Sequence, residues 1–472
     1  MPRFAHRFEV DHPVGEAFAW HARPGAFGRL TPPWESVRVL RAPVGLQPGT
    51  RVQLEIRKGP VPLKWELEHT AYEEGRFFVD EQVRGPFARW RHEHRFEPLG
   101  PDRCRVEDIV EWGAPLEPFG DTFTESFITR SLERLFAFRA RRTNHDLELH
   151  RRYGPGEGRV VAVNGSTGLI GTALCDLLTS GGYRVLRVTR ALREGPEWVH
   201  WDPHGEGIST EARSALEGLF GVVNLAGEPI SGVRWTSAKK EAILRSREEG
   251  TLLLCRVLAE LERPPEVLVS ASAIGYYGDR GEERLSESSE GGEGFLAEVS
   301  RRWERATHAA RAIGIRTVHL RSSMVLSPGG GALEVLLIPF RMGAGGRLGS
   351  GRQYISWIDL DDETGLILHA LRNEKVRGAL NGVAPAPLPN AAFADVLGRV
   401  LGRPTLVPMP ALAIRAGLGE MGKELLLFGQ RAHPDRALET GYRFRYPDLE
   451  SSLRHQLGRD EGGETTDDGG PR

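Results

Sequence analysis

The residues able to do chemistry fall in a few short stretches. Three glycines, Gly165, Gly168 and Gly171, punctuate Val160-Val-Ala-Val-Asn-Gly-Ser-Thr-Gly-Leu-Ile-Gly-Thr-Ala-Leu174. An apolar strand precedes them and the opening of a helix follows. A turn this tight favours residues without a Cβ. The helix adds free N–H groups and the positive end of its dipole. Gly165, Ser166, Thr167, Gly168, Leu169, Ile170 and Gly171 are therefore read as a cradle for the pyrophosphate of a dinucleotide. The next strand ends at Thr189-Arg190. An NAD site places an acid there for the ribose hydroxyls, whereas Arg190 suits the 2′-phosphate of NADP. NADP is thus expected over NAD, an exposed strand-end arginine being the plain alternative. Small residues in Asn224-Leu-Ala-Gly-Glu-Pro-Ile230 would let a cofactor lie across the strand ends, touching Leu225, Ala226 and Gly227. Ser270, Ser272, Tyr276 and Tyr277, in Val269-Ser-Ala-Ser-Ala-Ile-Gly-Tyr-Tyr-Gly278, fall where a parallel strand ends, the place where open α/β sheets put their chemistry.

Two sets of elements must position these groups. Before the glycine motif, segments 4–10, 35–41, 50–58, 63–73, 76–85, 88–98 and 103–113 read as strands. Many alternate apolar with polar residues, as in Arg103-Cys-Arg-Val-Glu-Asp-Ile-Val-Glu-Trp112, the mark of a half-buried antiparallel sheet. Asp11 and Pro13 suit the start of a short helix. A long amphipathic helix over about 121–150 carries Phe123, Phe127, Leu132, Leu135 and Phe138 near helical spacing. The Gly- and Pro-rich Arg152-Tyr-Gly-Pro-Gly-Glu-Gly158 is a linker. After it, near-continuous apolar strands at 159–164, 184–189, 221–226, 266–271 and 316–322 alternate with helices such as 169–180, 236–261 and 296–313. That alternation predicts a doubly wound parallel sheet with both faces covered. The polar, Gly-rich stretch 458–472 is expected to be disordered.

Bulk properties narrow the partners. A chain of 472 residues calls for two or more domains. Net charge is −2 with no basic block, which argues against nucleic acid. Cys104, Cys175 and Cys255 have no metal spacing and suit a reducing compartment. No apolar run reaches the ~20 residues of a membrane span, and Met1-Pro-Arg-Phe-Ala-His-Arg7 lacks the apolar stretch of a signal. A cytoplasmic protein is expected. His92 and His94 share a strand face and could begin a metal site with His69. No third ligand has a diagnostic spacing, so ordinary surface or cavity histidines, and no metal, are the expectation.

The order of the first 152 residues resembles the helix-grip fold of the START-like and polyketide-cyclase superfamily, in which a curved sheet and a long helix enclose an apolar cavity. The resemblance implies a ligand-binding domain at 1–152. Residues 159–457 resemble an extended short-chain dehydrogenase/reductase of the epimerase-family branch, of which about 404–457 is the C-terminal subdomain of unknown function. The matching pieces include Asn164-Gly-Ser-Thr-Gly-Leu-Ile-Gly171, Asn224-Leu-Ala-Gly-Glu-Pro-Ile230, Ser246-Arg247, Ser270-Ala-Ser-Ala-Ile-Gly275, Ser356-Trp-Ile-Asp-Leu-Asp-Asp362 and Gly441-Tyr-Arg-Phe-Arg-Tyr-Pro-Asp448. The fold class implied is α/β, a Rossmann-type sheet with a small C-terminal subdomain, preceded by the α+β helix-grip domain.

The superfamily uses Ser, Tyr and Lys, the last two as Tyr-x-x-x-Lys. Ser272 matches the Ser, but the Tyr position falls near Phe295 and the Lys position near Val299 or Ser300. Phe has no proton to transfer and Val no charge. Tyr277, or Tyr276, is the candidate substitute. Glu228, Arg234, Lys239, Arg247, Arg347, Arg352 and Gln353 stand at family-like positions and as a set would suit an anionic substrate. Asp359 and Asp362 are read as capping and orienting the helix that follows. Two functions remain open. One is an NADP-dependent oxidoreductase or epimerase acting on a small, anionic or lipid-like molecule, with Ser272 orienting it. The other is a dinucleotide-binding sensor or regulatory protein without turnover; an interaction protein affecting cell division is a third and weaker reading. A homodimer is compatible with either.

Overall fold

The computed structural model describes residues 2–41, 45–58, 61–113, 122–202, 208–232 and 234–459. Of the expected disordered tail, all but 458 and 459 lie outside the described residues. The chain forms two compact units, one built around Met1–Gly156 and the other around Glu157–Cys175 and Tyr183–Arg454.

The first unit contains β1 (Arg3–Val10), α1 (Val14–Ala22), α2 (Ala26–Leu30), β2 (Ser36–Arg41), β3 (Arg51–Lys58), β4 (Val61–Glu73), β5 (Phe77–Arg84), β6 (Arg89–Gly100), β7 (Arg103–Gly113) and α3 (Thr122–Tyr153). The strands make one antiparallel sheet in the order β1-β7-β6-β5-β4-β3-β2. Alternation decides its faces. On β7, Cys104, Val106, Asp108, Val110 and Trp112 are all buried. Helix α3 supplies Leu132 and Phe136, which pack on Val52, Leu54, Trp90, Val110 and Trp112. The expected apolar stripe on this helix is corrected in one respect. Phe127 is 67% exposed, because the stripe runs through Ile128, Leu132 and Phe136, each one helical turn from the next. The side chain of Phe123 lies outside the described ones. Arg29 on α2 clamps α3 by a buried two-pronged pair with Asp146, at 2.7 and 2.8 Å.

The second unit runs β8 (Val160–Asn164), α4 (Leu169–Ser180), β9 (Arg184–Thr189), β10 (Trp198–His200), α5 (Thr210–Ala215), β11 (Gly221–Asn224), α6 (Ser237–Ala259), β12 (Val267–Ala273), β13 (Arg284–Leu285), α7 (Phe295–Arg305), α8 (His308–Ala312) and β14 (Arg316–Ser322). It continues with β15 (Met324–Leu326), α9 (Gly331–Arg341), β16 (Tyr354–Ile355), β17 (Trp357–Asp359), α10 (Leu360–Arg372) and β18 (Gly378–Gly382). The main sheet is parallel throughout, ordered β10-β9-β8-β11-β12-β14-β18. The chain leaves β8 first to one side and then to the other. The strand order therefore reverses between β8 and β11, which opens a crevice at their carboxyl ends. This is the expected Rossmann-type sheet, with β10 and β18 added at its edges. β10 is only three residues long, and β18, Gly378-Ala-Leu-Asn-Gly382, has no apolar run to show as a pattern. The helix expected at 296–313 is broken into α7 and α8. Thr307 sits at the break, its hydroxyl donating to the Glu304 carbonyl at 2.8 Å and meeting His319 Nε2 at 2.9 Å.

Candidate functional site: a glycine turn at the sheet crevice

The crevice is built first from backbone. Gly165 leaves β8 at φ +84°, a conformation that L side chains rarely adopt. A Cβ there would lie 2.9 Å from the backbone of Leu225 and Ala226, so the turn and the segment after β11 are pressed together. A Cβ on Gly171 would lie 2.1 Å from the Gly165 carbonyl oxygen, which seats the first turn of α4 on the loop. Gly168 is different: it is exposed, and only the Gly165 carbonyl oxygen, at 3.5 Å, stands near its Cβ position. Two of the three glycines close the turn and the third keeps its upper side open. Thr167 is exposed and Leu169 and Ile170 are half-buried beside it.

Below the turn, Leu225 N–H donates to the Asn164 carbonyl at 2.8 Å, and Asn164 Nδ2 donates to Asn224 Oδ1 at 2.9 Å. Asn224 Nδ2 and Trp303 Nε1 both donate to Thr251 Oγ1, at 2.9 and 3.0 Å. The floor is thus fixed by side chains from two strands, β8 and β11, and two helices, α6 and α7. Ser166 is fully buried, and its Oγ meets no hydrogen-bond partner among the described residues. Arg190, the residue after β9, is exposed. An open glycine, unpaired N–H groups at the start of α4, a spare hydroxyl and an exposed cation one strand away fit a phosphate-bearing dinucleotide.

Behind Gly227 stands Arg247. Its Nη1 donates to the carbonyls of Glu228 and Ile243, at 2.8 and 3.3 Å, and its guanidinium lies 5.0 Å from the Trp303 ring. Burial lowers its pKa to about 10, the nearby Glu228 charge acting against that. A Cβ on Gly227 would approach this guanidinium to 3.0 Å. Arg247 therefore braces the loop from below. The other family-position residues divide. Glu228 and Lys239 pair at 2.6 Å. Gln353 spends its amide on the carbonyls of Leu348 and Leu426, both at 3.0 Å, and so supports backbone instead of facing a ligand. Arg234, Arg347 and Arg352 are exposed. Asp359 caps α10 through Asp361 N–H at 2.9 Å, as its position implied. Asp362 accepts from Tyr442 Oη and from the N–H groups of Arg445 and Tyr446, tying the C-terminal segment to that helix.

Ser272 and Tyr277 meet in one network. On neighbouring strands Ser272 is opposite Arg321. Ser272 Oγ donates to Glu304 Oε1 at 2.8 Å, and Arg321 grips the same carboxylate at 2.8 and 3.0 Å. Arg321 Nη1 also donates to Tyr277 Oη at 3.0 Å, and its guanidinium lies 3.5 Å from the Tyr276 ring centre. Tyr277 is fully buried, with its hydroxyl donating to Ser286 O at 2.9 Å or Asn381 Oδ1 at 2.8 Å. Burial raises its pKa, although Arg321 pulls the other way. Tyr276, Glu304 and Arg321 border an open cavity of about 750 Å³ whose rim adds Arg301, Arg305 and Arg377. Sequence reasoning missed Glu304 and Arg321, which stand far from Ser272 in the chain: Arg321 reaches it through the register of β12 with β14, and Glu304 through the packing of α7. Ser270 is fully buried one pleat earlier on β12. At the expected Tyr and Lys positions, Phe295 packs edge-on against Trp235 at 5.0 Å, and Val299 joins Trp235, Ile243 and Met421 in an apolar cluster.

Comparison with known proteins identifies the class. Residues 161–381 match the NAD dependent epimerase/dehydratase family, 409–456 a domain of unknown function, and 10–136 the polyketide cyclase / dehydrase and lipid transport family. An epimerase family protein of Mycobacterium tuberculosis is 39% identical over 300 residues, covering 64% of this chain and 98% of its own. The human epimerase family protein SDR39U1 is 39% identical over 299 residues, covering 62% and 98%. A crystal structure described as the nucleoside-diphosphate sugar epimerase from Corynebacterium glutamicum shares 30% identity and a TM-score of 0.79, covering 98% of this chain and 91% of that one. Human SDR39U1 (isoform 2) crystallised with NADPH shares 36% identity and a TM-score of 0.58, covering 63% and 99%. The chain belongs to the epimerase family, with a polyketide-cyclase-type domain ahead of the epimerase-type unit. No helix among the described residues is long and apolar enough to cross a membrane.

Proposed function

We propose that the epimerase-type unit binds NADP(H) and acts as an oxidoreductase or epimerase on a small anionic molecule. The observation that carries this reading is the Gly165–Gly171 turn at the point of strand reversal, with an arginine in place of an acid after β9. The NADPH held by human SDR39U1 supports the cofactor. Gly165 to Gly171 would hold the pyrophosphate, Arg190 the 2′-phosphate, and Leu225, Ala226, Gly227 and Ser270 the remainder along the strand ends. When bound, the nicotinamide supplies or accepts a hydride. The cavity beside Glu304 and Arg321 runs along β14 from Arg321 to the amino ends of β14 and β18, and its arginine-rich lining favours an anionic ligand. Ser272 and Tyr277 hold that pair in place, so Ser272 steadies the substrate through Glu304 and Arg321. The first unit serves as the ligand-binding domain that delivers or senses the molecule.

A second reading, a dinucleotide-dependent sensor, is favoured by one observation. The positions of the proton-transferring pair are occupied by Phe295 and Val299 inside an apolar cluster. Nicotinamide oxidation, followed with a panel of carbonyl compounds bearing carboxylate or phosphate groups, separates the two. The enzyme reading expects turnover with NADPH on at least one compound and a loss of about tenfold or more in Ser272→Ala, the scale of one hydrogen bond to a charged group. Saturable NADPH binding without turnover on any compound would favour the sensor. Binding of neither nicotinamide would remove both.

A further inference from the structure

The interior face of the first unit carries four buried polar side chains that the epimerase-type site does not use. Asp80 on β5, His92 and His94 on β6, and Asp108 on β7 are each 4–8% exposed. Strand register brings them together. Asp80 is opposite His92, and His94 is opposite Asp108. His92 and His94 are two residues apart, so both point to the face covered by α3, where the His92 ring meets Phe136 at 5.3 Å.

The hydrogen bonds split the four into two layers. Asp108 Oδ1 lies 3.1 Å from His92 Nε2 and 2.7 Å from His94 Nδ1. A carboxylate can only accept, so each ring presents an N–H to Asp108. In a neutral imidazole the other nitrogen then carries a lone pair. Those two nitrogens, His92 Nδ1 and His94 Nε2, turn toward Asp80 Oδ2, at 3.3 and 3.6 Å. One ligand atom from each of Asp80, His92 and His94 lies within 4.8 Å of the others. A cation among these three atoms would engage both ring nitrogens and the Asp80 carboxylate at once.

The spacing matches a metal. Zinc binds His nitrogen and carboxylate oxygen at about 2.0–2.2 Å, which places tetrahedral neighbours roughly 3.3–3.5 Å apart. Asp108 then has the role of the outer carboxylate that fixes the tautomer and orientation of ligating histidines. Three ligands from adjacent strands leave further coordination positions open, as in sites that bind a substrate or water. We propose that Asp80, His92 and His94 form a divalent transition-metal site, oriented by Asp108, inside the polyketide-cyclase-type unit. His69 is not one of the three: the ligand that sequence spacing did not supply is Asp80.

The full-length protein, stripped with chelator and dialysed, is titrated with zinc alone and with cobalt(II) as a spectroscopic probe. One metal per chain and visible cobalt bands of a low-coordinate nitrogen and oxygen site are expected. Asp80→Asn and His94→Gln should abolish both, and Asp108→Asn should weaken affinity 10–100-fold while keeping the stoichiometry. Circular dichroism and nicotinamide binding by the other unit report whether each variant is folded. Absence of stoichiometric metal in the folded wild-type chain overturns the proposal. So does zinc binding that Asp80→Asn leaves unchanged.

Discussion

The glycine turn of the epimerase-type unit and the histidine–aspartate cluster of the first unit are built on opposite principles. The turn is backbone. Its residues lie within seven consecutive positions, and what it demands is the absence of volume: a Cβ on Gly171 would meet the Gly165 carbonyl oxygen at 2.1 Å. The cluster is side chain. Its members come from three strands, and what it demands is particular nitrogen and oxygen atoms at particular register positions. A backbone site tolerates changes of side-chain chemistry and fails on added bulk. A side-chain site tolerates changes of bulk around it and fails on the loss of one atom type.

That contrast can be broken by mutation. The largest effect is expected at the clamp that holds the covering helix of the first unit. Arg29 and Asp146 pair with side chains 4% and 0% exposed. Arg29→Ala removes both prongs of the pair from a buried carboxylate and should cost about 3–5 kcal/mol in denaturant unfolding. A loss under ~1 kcal/mol would show the clamp to be ornamental.

Next comes the turn itself. Gly171→Ala adds a single methyl against the Gly165 carbonyl, and should lower stability by roughly 1–3 kcal/mol while weakening NADPH binding beyond detection. Thr167→Val, at an exposed position, should leave stability nearly unchanged. If Gly171→Ala binds NADPH normally, the close approach is not what shapes the site.

A third prediction concerns pH. Glu363 on α10 is fully buried, with Ser322 donating to one carboxyl oxygen and no partner for the other among the described residues. Burial raises its pKa to about 7, the Ser322 contact opposing that only in part. The folded chain thus holds a proton that the unfolded chain releases near pH 4.5. The resulting stability is complete below that value, falls through the window up to about 7, and is gone above it. The size is on the order of 3–4 kcal/mol at ~1.4 kcal/mol per pH unit. Glu363→Gln should flatten the stability–pH curve across this window, which chemical denaturation at several pH values would show.

The same contrast explains what was legible beforehand. The seven antiparallel strands, the long helix and the core of the parallel sheet follow from local periodicity. The glycine turn and Arg190 are equally local. Glu304 and Arg321 are not, since nothing near Ser272 announces them and only the pairing of β12 with β14 brings Arg321 alongside. Asp80 is hidden in the same way, twelve residues before His92 on another strand. Tyr277 was visible as a residue, but its burial against Asn381 depends on the register at β14 and β18. Phe127 shows the reverse failure, a hydrophobic residue counted toward a stripe from which helical geometry excludes it.

The central claim is that the crevice between β8 and β11 is a site for NADP. The most direct measurement is a fluorescence titration of the purified chain with NADPH and with NADH, repeated on Arg190→Ala. The account predicts tighter binding of NADPH, and a loss of that preference by roughly tenfold or more in the variant, as a phosphate loses its charged partner. Equal or tighter binding of NADH by the wild-type chain would contradict the role given to Arg190.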